Sequence, residues 1–305
     1  MAERRILITG GSGFIGRAVI HRIAAEGTRI IVPSRNPAQA SALAAVAGVE
    51  LVSADIHDPA TLDQLTQDVH AVINLVGVLQ SRPGSPWGPD FERAHVALPA
   101  RLATACQHHG VARLIHISAL GASPDGPSAY QRSKAAGEAA IRAISPPPAW
   151  TILRPSVVFG PEDRFLNLFA QLTRWFPALP LAGAHARFQP VHVGDVAEVI
   201  ARCLDEPQAE GQTYELAGPQ VYTLAELVRY VCQLTSRRRL IFPLPGPLAL
   251  LQGFAMEMLP KPPISRDNVR SMQRDNIASG APLPFGLTPA ALESIVPGYL
   301  TGNSR

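Results

Sequence analysis

The stretch RILITGGSGFIG, residues 5–16, joins a run of branched apolar residues to a turn holding four glycines in seven positions. Ile6, Leu7 and Ile8 suit a β-strand. Gly10 allows a tight turn, Gly13 lets backbone amides approach a pyrophosphate, and Gly16 lets the next helix pack closely. Phe14 and Ile15 open that helix, whose unpaired N–H groups and dipole favour an anion. Gly10, Gly13, Phe14, Ile15 and Gly16 are thus the first candidate cofactor-binding residues. Glycines alone carry little weight, but here they follow a strand, open a helix and head a strand–helix series.

That series continues for 150 residues. RIIVP (29–33), VELVS (49–53), AVINLV (71–76), RLIHIS (113–118) and TILRP (151–155) are continuous apolar runs, the pattern of strands covered on both faces. Helical stretches lie between them, one opened by Asp58 and Pro59. The alternation predicts an α/β fold with a doubly wound, Rossmann-type parallel sheet. After residue 155 the pattern loosens. DRFLNLFAQLTRWF (163–176) reads as a helix, and the Thr223–Glu226 capping box opens another over 224–234. From 237 the chain is proline-rich, with a last helix expected to open at Thr288–Pro289. We therefore expect a dinucleotide-binding core over 1–155. Residues 156–305 would complete the sheet and form a smaller, mixed cap or partner-docking region.

Composition narrows the function. With 47% hydrophobic and 17% charged residues the chain is core-forming, not disordered. A net charge of +3, spread over both halves, lacks the concentrated basic face of a nucleic-acid binder. Cys106, Cys203 and Cys232 follow no metal-ligand spacing, so they read as buried thiols in a reducing compartment, and no metal is expected. The N-terminus reads as a strand and a turn, not a secretory leader. The nearest approach to a membrane span, residues 240–259, is broken by three prolines and Glu257. The expected location is cytoplasmic, with peripheral attachment to the inner face of the cytoplasmic membrane.

The later strand ends supply the other candidates. No acid lies between Gly27 and Glu50, where NAD-preferring sites place a carboxylate for the ribose. Ser34 and Arg35 stand there instead, and a guanidinium beside a hydroxyl suits a 2′-phosphate. NADP(H) is therefore preferred, with NAD(H) as the alternative. Asp55 and Ile56 fall where adenine would lie, and Asn74 and Gly77 flank the cofactor's path.

In SAYQRSKAAGE, residues 128–138, Tyr130 and Lys134 are one helical turn apart. Lys134 is one of two lysines against 25 arginines, so a lysine here has a reason. An ammonium favours the phenolate of a tyrosine whose free pKa is about 10, and it can bridge ribose hydroxyls as a compact donor. Ser118, ending the fifth strand, would supply a hydrogen bond to a reacting carbonyl.

TGGSGFIG, ISALGA, YQRSK and LRPSVVFGPED resemble the short-chain dehydrogenase/reductase superfamily in its extended, epimerase-like branch, over residues 4 to about 205. The resemblance implies a catalytic set of Ser118, Tyr130 and Lys134. Tyr130 would be the general acid/base, and Lys134 would hold the nicotinamide ribose and lower the tyrosine pKa. The segment after Pro155, including Val157, would face the nicotinamide amide. Further along, GPEDRFLNLFA (160–170), FQPVHVGDVAEVI (188–200) and GPQVYTLAELVRYV (218–231) resemble the NADPH-binding accessory subunit family of respiratory complex I and its bacterial relatives. That implies a nucleotide held as a structural element where the peripheral and membrane arms meet.

The chain departs from the epimerase pattern. Ala119 replaces a second hydroxyl residue, no Tyr-Gly pair follows, and His95 stands where an Asn is expected. His95 reads as a satisfied helical histidine. Two functions follow: an NADP(H)-holding accessory or assembly factor of the respiratory NADH dehydrogenase, or an active NADP-dependent reductase or epimerase. The second would act through Tyr130 and Lys134 on a small carbonyl, lipid-like or quinone-like substrate. Residues 237–274 carry seven basic residues against two acids, with Arg266, Arg270 and Arg274 spaced to form one stripe on a helix. This region is expected to dock on complex I subunits or on an anionic membrane surface.

Overall fold

In the computed structural model, which describes residues 4–25, 27–145, 148–260 and 262–301, the strand β1 (Arg4–Thr9) sends Ile6 and Ile8 into one hydrophobic core and Leu7 into another. The period-2 alternation of a strand thus divides a continuous apolar run between the two faces of the sheet. β2 (Thr28–Ser34) does the same, with Ile30 and Val32 on one side and Ile31 on the other. β3 (Val49–Ser53), β4 (Ala71–Asn74), β5 (Arg113–Ile117) and β6 (Ala149–Pro155) complete the first series.

α1 (Phe14–Ile23) covers the first core together with α7 (Val193–Cys203), which comes from beyond residue 155. α2 (Pro59–Thr66), α4 (Leu98–His108) and α5 (Ala129–Arg142) cover the second. A short α3 (Pro89–Phe91) runs through a π-helical turn, Glu92–Ala97, into α4. All strands of the sheet are parallel, in the order β11-β6-β5-β4-β1-β2-β3, with β11 (Gln212–Leu216) pairing beside β6. The order reverses between β1 and β4, the position at which such sheets form a ligand crevice at the carboxyl ends of their strands.

A third core lies in the later half, among α6 (Leu166–Trp175), α8 (Leu224–Leu234) and α11 (Leu292–Leu300). Three two-stranded pairs surround it. β7 (Val158–Phe159) lies beside β10 (Val191–His192), β8 (Ala178–Leu181) beside β13 (Leu240–Pro243), and β9 (Arg187–Phe188) beside β12 (Tyr222–Thr223). α9 (Gly246–Met256) and α10 (Arg266–Ser271) follow. Among the described residues no helix is long and apolar enough to cross a membrane.

The caps explain most boundaries. Asp58 accepts the Thr61 N–H at 2.9 Å, and the Thr223–Glu226 capping box opens α8 at Leu224 as its spacing predicts. α6 begins at Leu166, later than expected, because the Asp163 carboxylate caps it from outside and accepts the Phe165 and Leu166 N–H groups. The last helix opens at Leu292, not at Thr288–Pro289, because the Ala290 N–H is drawn to the Asp195 carboxylate at 2.8 Å.

The expected arginine stripe does not form. α10 ends at Ser271, before Arg274, which donates to the Asp125 carbonyl. Arg266 is paired with Glu257 and stacked over Phe254. Arg237 and Arg239 donate to the Ala170 and Thr173 carbonyls at the end of α6, so they cap that helix. Arg238 and Arg270 stay exposed, and Lys261 lies outside the described residues.

Gly16 shows how tightly the first turn is closed: a Cβ there would lie 2.3 Å from the Gly11 carbonyl oxygen. Gly16→Ala is expected to cost roughly 1–3 kcal/mol of stability through overpacking against backbone. An unchanged urea midpoint would mean that the turn yields instead.

Candidate functional site

The crevice between β1 and β4 is built on the glycine turn. Gly10 has φ +76°, and its α-carbon side faces the Leu75 backbone so closely that a Cβ would lie 3.0 Å from it. The Gly13 N–H donates back to the Gly10 carbonyl at 3.0 Å, closing the turn. Gly13 is the N-cap of α1 and offers no side chain to the first-turn N–H groups at Phe14, Ile15 and Gly16, so these remain for an anion. The Phe14 ring lies against Gly160, and Arg17 pairs with Glu162, bracing the turn from the later half.

At the end of β2, Ser34 accepts the Asn36 N–H, and Arg35 is exposed with no ion pair among the described residues. Asp55 accepts the His57 N–H and pairs with Arg93 at 3.3 Å, while Arg101 donates to the His57 carbonyl at 2.8 Å. Burial lowers the His57 imidazole below its ordinary value, and Arg93, Arg35 and Arg101 add to this against Asp55. Three guanidinium groups thus lie within electrostatic reach of one imidazole, and one of them pairs with Asp55. Arg93 and Arg101 belong to no strand-end motif; their contacts with Asp55 and His57, in the segment after β3, bring them here. Ile56 is half-buried against the second core.

Lys134 lies at the other end of the crevice, 3% exposed, and donates to the Ile117 carbonyl at 3.1 Å. Gly77 passes directly over it: a Cβ there would sit 3.2 Å from the ammonium and 3.7 Å from His95 Nε2. Tyr130 packs edge-on against His95 and Phe91, with centroids 5.5 and 6.0 Å away. Burial pushes its hydroxyl up to about 12. Burial is the cause of that rise, and no lowering by Lys134 accompanies it in the chain without nucleotide.

Ser118 follows the last residue of β5, Ile117. Its buried hydroxyl lies beside Glu138 and has no hydrogen-bond partner among the described residues. Burial pushes the Glu138 carboxyl up, but Arg154, Ser118 and Arg142 outweigh it and hold the group below the usual range. Arg154 bonds Glu138 in a fork, at 2.8 and 2.6 Å. Asn74 is fully buried, and its amide is spent on Thr9, His116 and the Val76 N–H, so its side chain shapes the strand end and is closed to a ligand. His95 accepts the Val78 N–H at Nε2, which leaves the Nδ1 hydrogen for Ser133 Oγ at 2.9 Å. Burial, then Lys134, lowers it to about 2, so it is a neutral strut and no general acid.

The chain after 260 roofs this end, a feature no motif foretold. The Asp267 carboxylate accepts the N–H groups of Ala129 and Tyr130 at 2.8 and 3.0 Å, capping α5 beside Tyr130. Asn268 donates to the Leu79 carbonyl, and Asn276 bonds both Leu120 and Ser156. The segment after Pro155 is held as well: Leu120 donates to the Pro155 carbonyl and Val191 to that of Val157.

The parallel sheet, with its glycine turn at the reversal of strand order, defines a Rossmann-type NAD(P)-binding protein of the short-chain dehydrogenase/reductase class. The chain belongs to the NAD dependent epimerase/dehydratase family, whose profile matches residues 6–217. It is similar to mitochondrial NADH dehydrogenase (ubiquinone) 1 alpha subcomplex subunit 9 of Mus musculus, 36% identical over 244 residues, 78% of this chain and 63% of the mouse protein. The chain therefore spans less than two thirds of that relative's length. The Arabidopsis thaliana counterpart is 32% identical over 91% of this chain and 72% of its own. A ceramide reductase of Caulobacter vibrioides is 30% identical over 81% and 76%. Among solved structures, UDP-glucuronic acid 4-epimerase from Bacillus cereus, in complex with UDP-glucuronic acid and NAD, matches with TM-score 0.74 at 18% identity over 98% of this chain and 99% of that chain. At that identity the likeness is one of fold.

Burial lowers the Lys134 ammonium from 10.5 to about 8. Between those values the unfolded chain binds more protons than the folded one, so this group makes stability rise with pH across that window, and its cost is full below pH 8. Without nucleotide, Lys134→Met is expected to resist urea better than wild type at neutral pH, with the gap closing as pH climbs toward 10.5. A less stable variant at neutral pH would contradict a buried ammonium that strains the fold.

Proposed function

We propose that this chain holds NADP(H) as an accessory or assembly factor of the respiratory NADH dehydrogenase, complex I. The observation that carries this reading is the contrast within one crevice. The first turn of α1 leaves its N–H groups uncapped for a nucleotide, whereas Tyr130 sits high in pKa beneath a pinned segment. Similarity to the mouse and Arabidopsis complex I subunits supports the same partner. A native gel of gently solubilised membranes tests it: the chain is expected to co-migrate with in-gel NADH dehydrogenase activity. A signal confined to low mass would overturn it.

The preference for the phosphorylated nucleotide rests on Arg35, free of ion pairs among the described residues, with Arg93 and Arg101 acting on the same His57 imidazole. A lost charge-assisted hydrogen bond of about 1.5–3 kcal/mol corresponds to roughly 10–100-fold. Arg35→Ala should weaken NADPH by that factor in a titration and leave NADH nearly unchanged. Equal losses for both would remove the 2′-phosphate assignment.

The docking surface would be apolar rather than a stripe of charge. Trp175 and Phe176 at the end of α6, Leu240 and Phe242 on β13, Leu248, Leu251 and Phe254 along α9, and Met258 and Leu259 just after it are exposed. A run of this kind on one region marks a partner or membrane surface, and it would seat the protein on complex I at the cytoplasmic face of the membrane. Leu251→Asp with Met258→Asp should release the chain from membranes without lowering its unfolding midpoint. Release of the wild type by salt alone would favour an electrostatic tether instead.

A second reading, an NADP-dependent reductase on a lipid-like carbonyl, is favoured by the similarity to ceramide reductase and the Tyr130–Lys134 spacing. On that reading Tyr130→Phe abolishes turnover while nucleotide affinity barely changes.

A further inference from the structure

Two helices of the second core end at one point, away from the crevice. Asp63 lies in the last turn of α2, His108 is the last residue of α4, and His109 is its C-cap. His109 Nε2 is 2.8 Å and His108 Nδ1 3.4 Å from the same oxygen, Asp63 Oδ1. The three donor atoms lie within 4.8 Å of one another. Neighbouring residues of a helix diverge by about 100°. Here the backbone departs from the helix at His109, with φ −94° and ψ 6°, and the two rings, 4.5 Å apart, converge on one carboxylate.

Among the described residues no arginine or lysine bonds any of the three. The carbonyl ends of α2 and α4 both favour positive charge at this place. The Asp63 oxygen that both imidazoles face belongs to a half-exposed side chain and can be reached by an ion.

We propose that Asp63, His108 and His109 bind a divalent transition ion, zinc foremost, through two imidazole nitrogens and one carboxylate oxygen, with water completing the shell. Two imidazoles among three donors suit zinc and its neighbours and disfavour calcium and magnesium, which seek oxygen. Donors about 2.0–2.1 Å from zinc stand about 3.3 Å apart in a tetrahedral shell. The ion therefore requires the His109–Asp63 pair to open from its 2.8 Å hydrogen bond by a few tenths of an ångström, which a half-exposed aspartate allows. The ion would clip α2 to α4, the pair whose other end carries the Arg101–His57 contact. The cysteines offer no rival site, since Cys106, Cys203 and Cys232 are buried.

The test is isothermal titration of the full chain with zinc chloride near neutral pH in a buffer that does not bind metals. One ion per chain is expected. Asp63→Asn and His109→Ala should each weaken binding by an order of magnitude or more. His108→Ala, at an exposed position, should do the same without disturbing the fold, and cobalt(II) in place of zinc should give visible absorption that these variants lose. Absence of saturable binding would overturn the proposal. So would zinc affinity that survives His108→Ala and His109→Ala together, because the ion would then sit elsewhere.

Discussion

A parallel sheet buried on both faces opens to a ligand only where successive connections leave toward opposite sides, and here that happens between β1 and β4. Everything in the crevice depends on how closely the backbone passes at that reversal. Gly10 takes a left-handed conformation against Leu75, and Gly16 brings α1 onto the Gly11 carbonyl at a distance that leaves no room for a Cβ. The helix N-terminus then faces the opening with its donors uncapped. Side chains at these positions would push the helix back and remove the anion site.

The opposite end is organised by a buried charge. An ammonium placed under Gly77, with a carbonyl as its hydrogen-bond partner, is expensive without an anionic or polyhydroxyl ligand. Around it lie polar groups that are each already committed: His95 to Val78 and Ser133, Asn74 to Thr9 and His116, Glu138 to two arginines. Lys134 and the unpaired Ser118 hydroxyl are the groups with capacity to spare. The strain of Lys134 in the empty state is the counterpart of its usefulness when a ribose is present.

The later half contributes more than a lid. β11 and α7 finish the sheet and its first core, and Asp163 and Asp195 cap or redirect helices within that half. Asp267 reaches 137 residues back in sequence to cap α5 beside Tyr130. Arginines that read as a cationic docking face are largely spent on internal carbonyls and on Glu257, which leaves the apolar side of α9 as the outward feature.

The sequence by itself determined the parallel sheet, the glycine turn, the Asp58 and Thr223 caps and the one-turn spacing of Tyr130 and Lys134. Each depends on neighbours within a turn or a strand, where propensity and periodicity act. It also carried the family resemblance through motifs of that same local kind. Only the tertiary structure decided that Ser118 is buried beside Glu138, that Asn74 is sealed, that burial and not Lys134 governs Tyr130, and that Arg93 and Arg101 join Arg35. It likewise broke the arginine stripe and set Asp63 against His108 and His109. These outcomes depend on solvent exclusion and on partners far away in the chain, and neither is written in the spacing of residues along it.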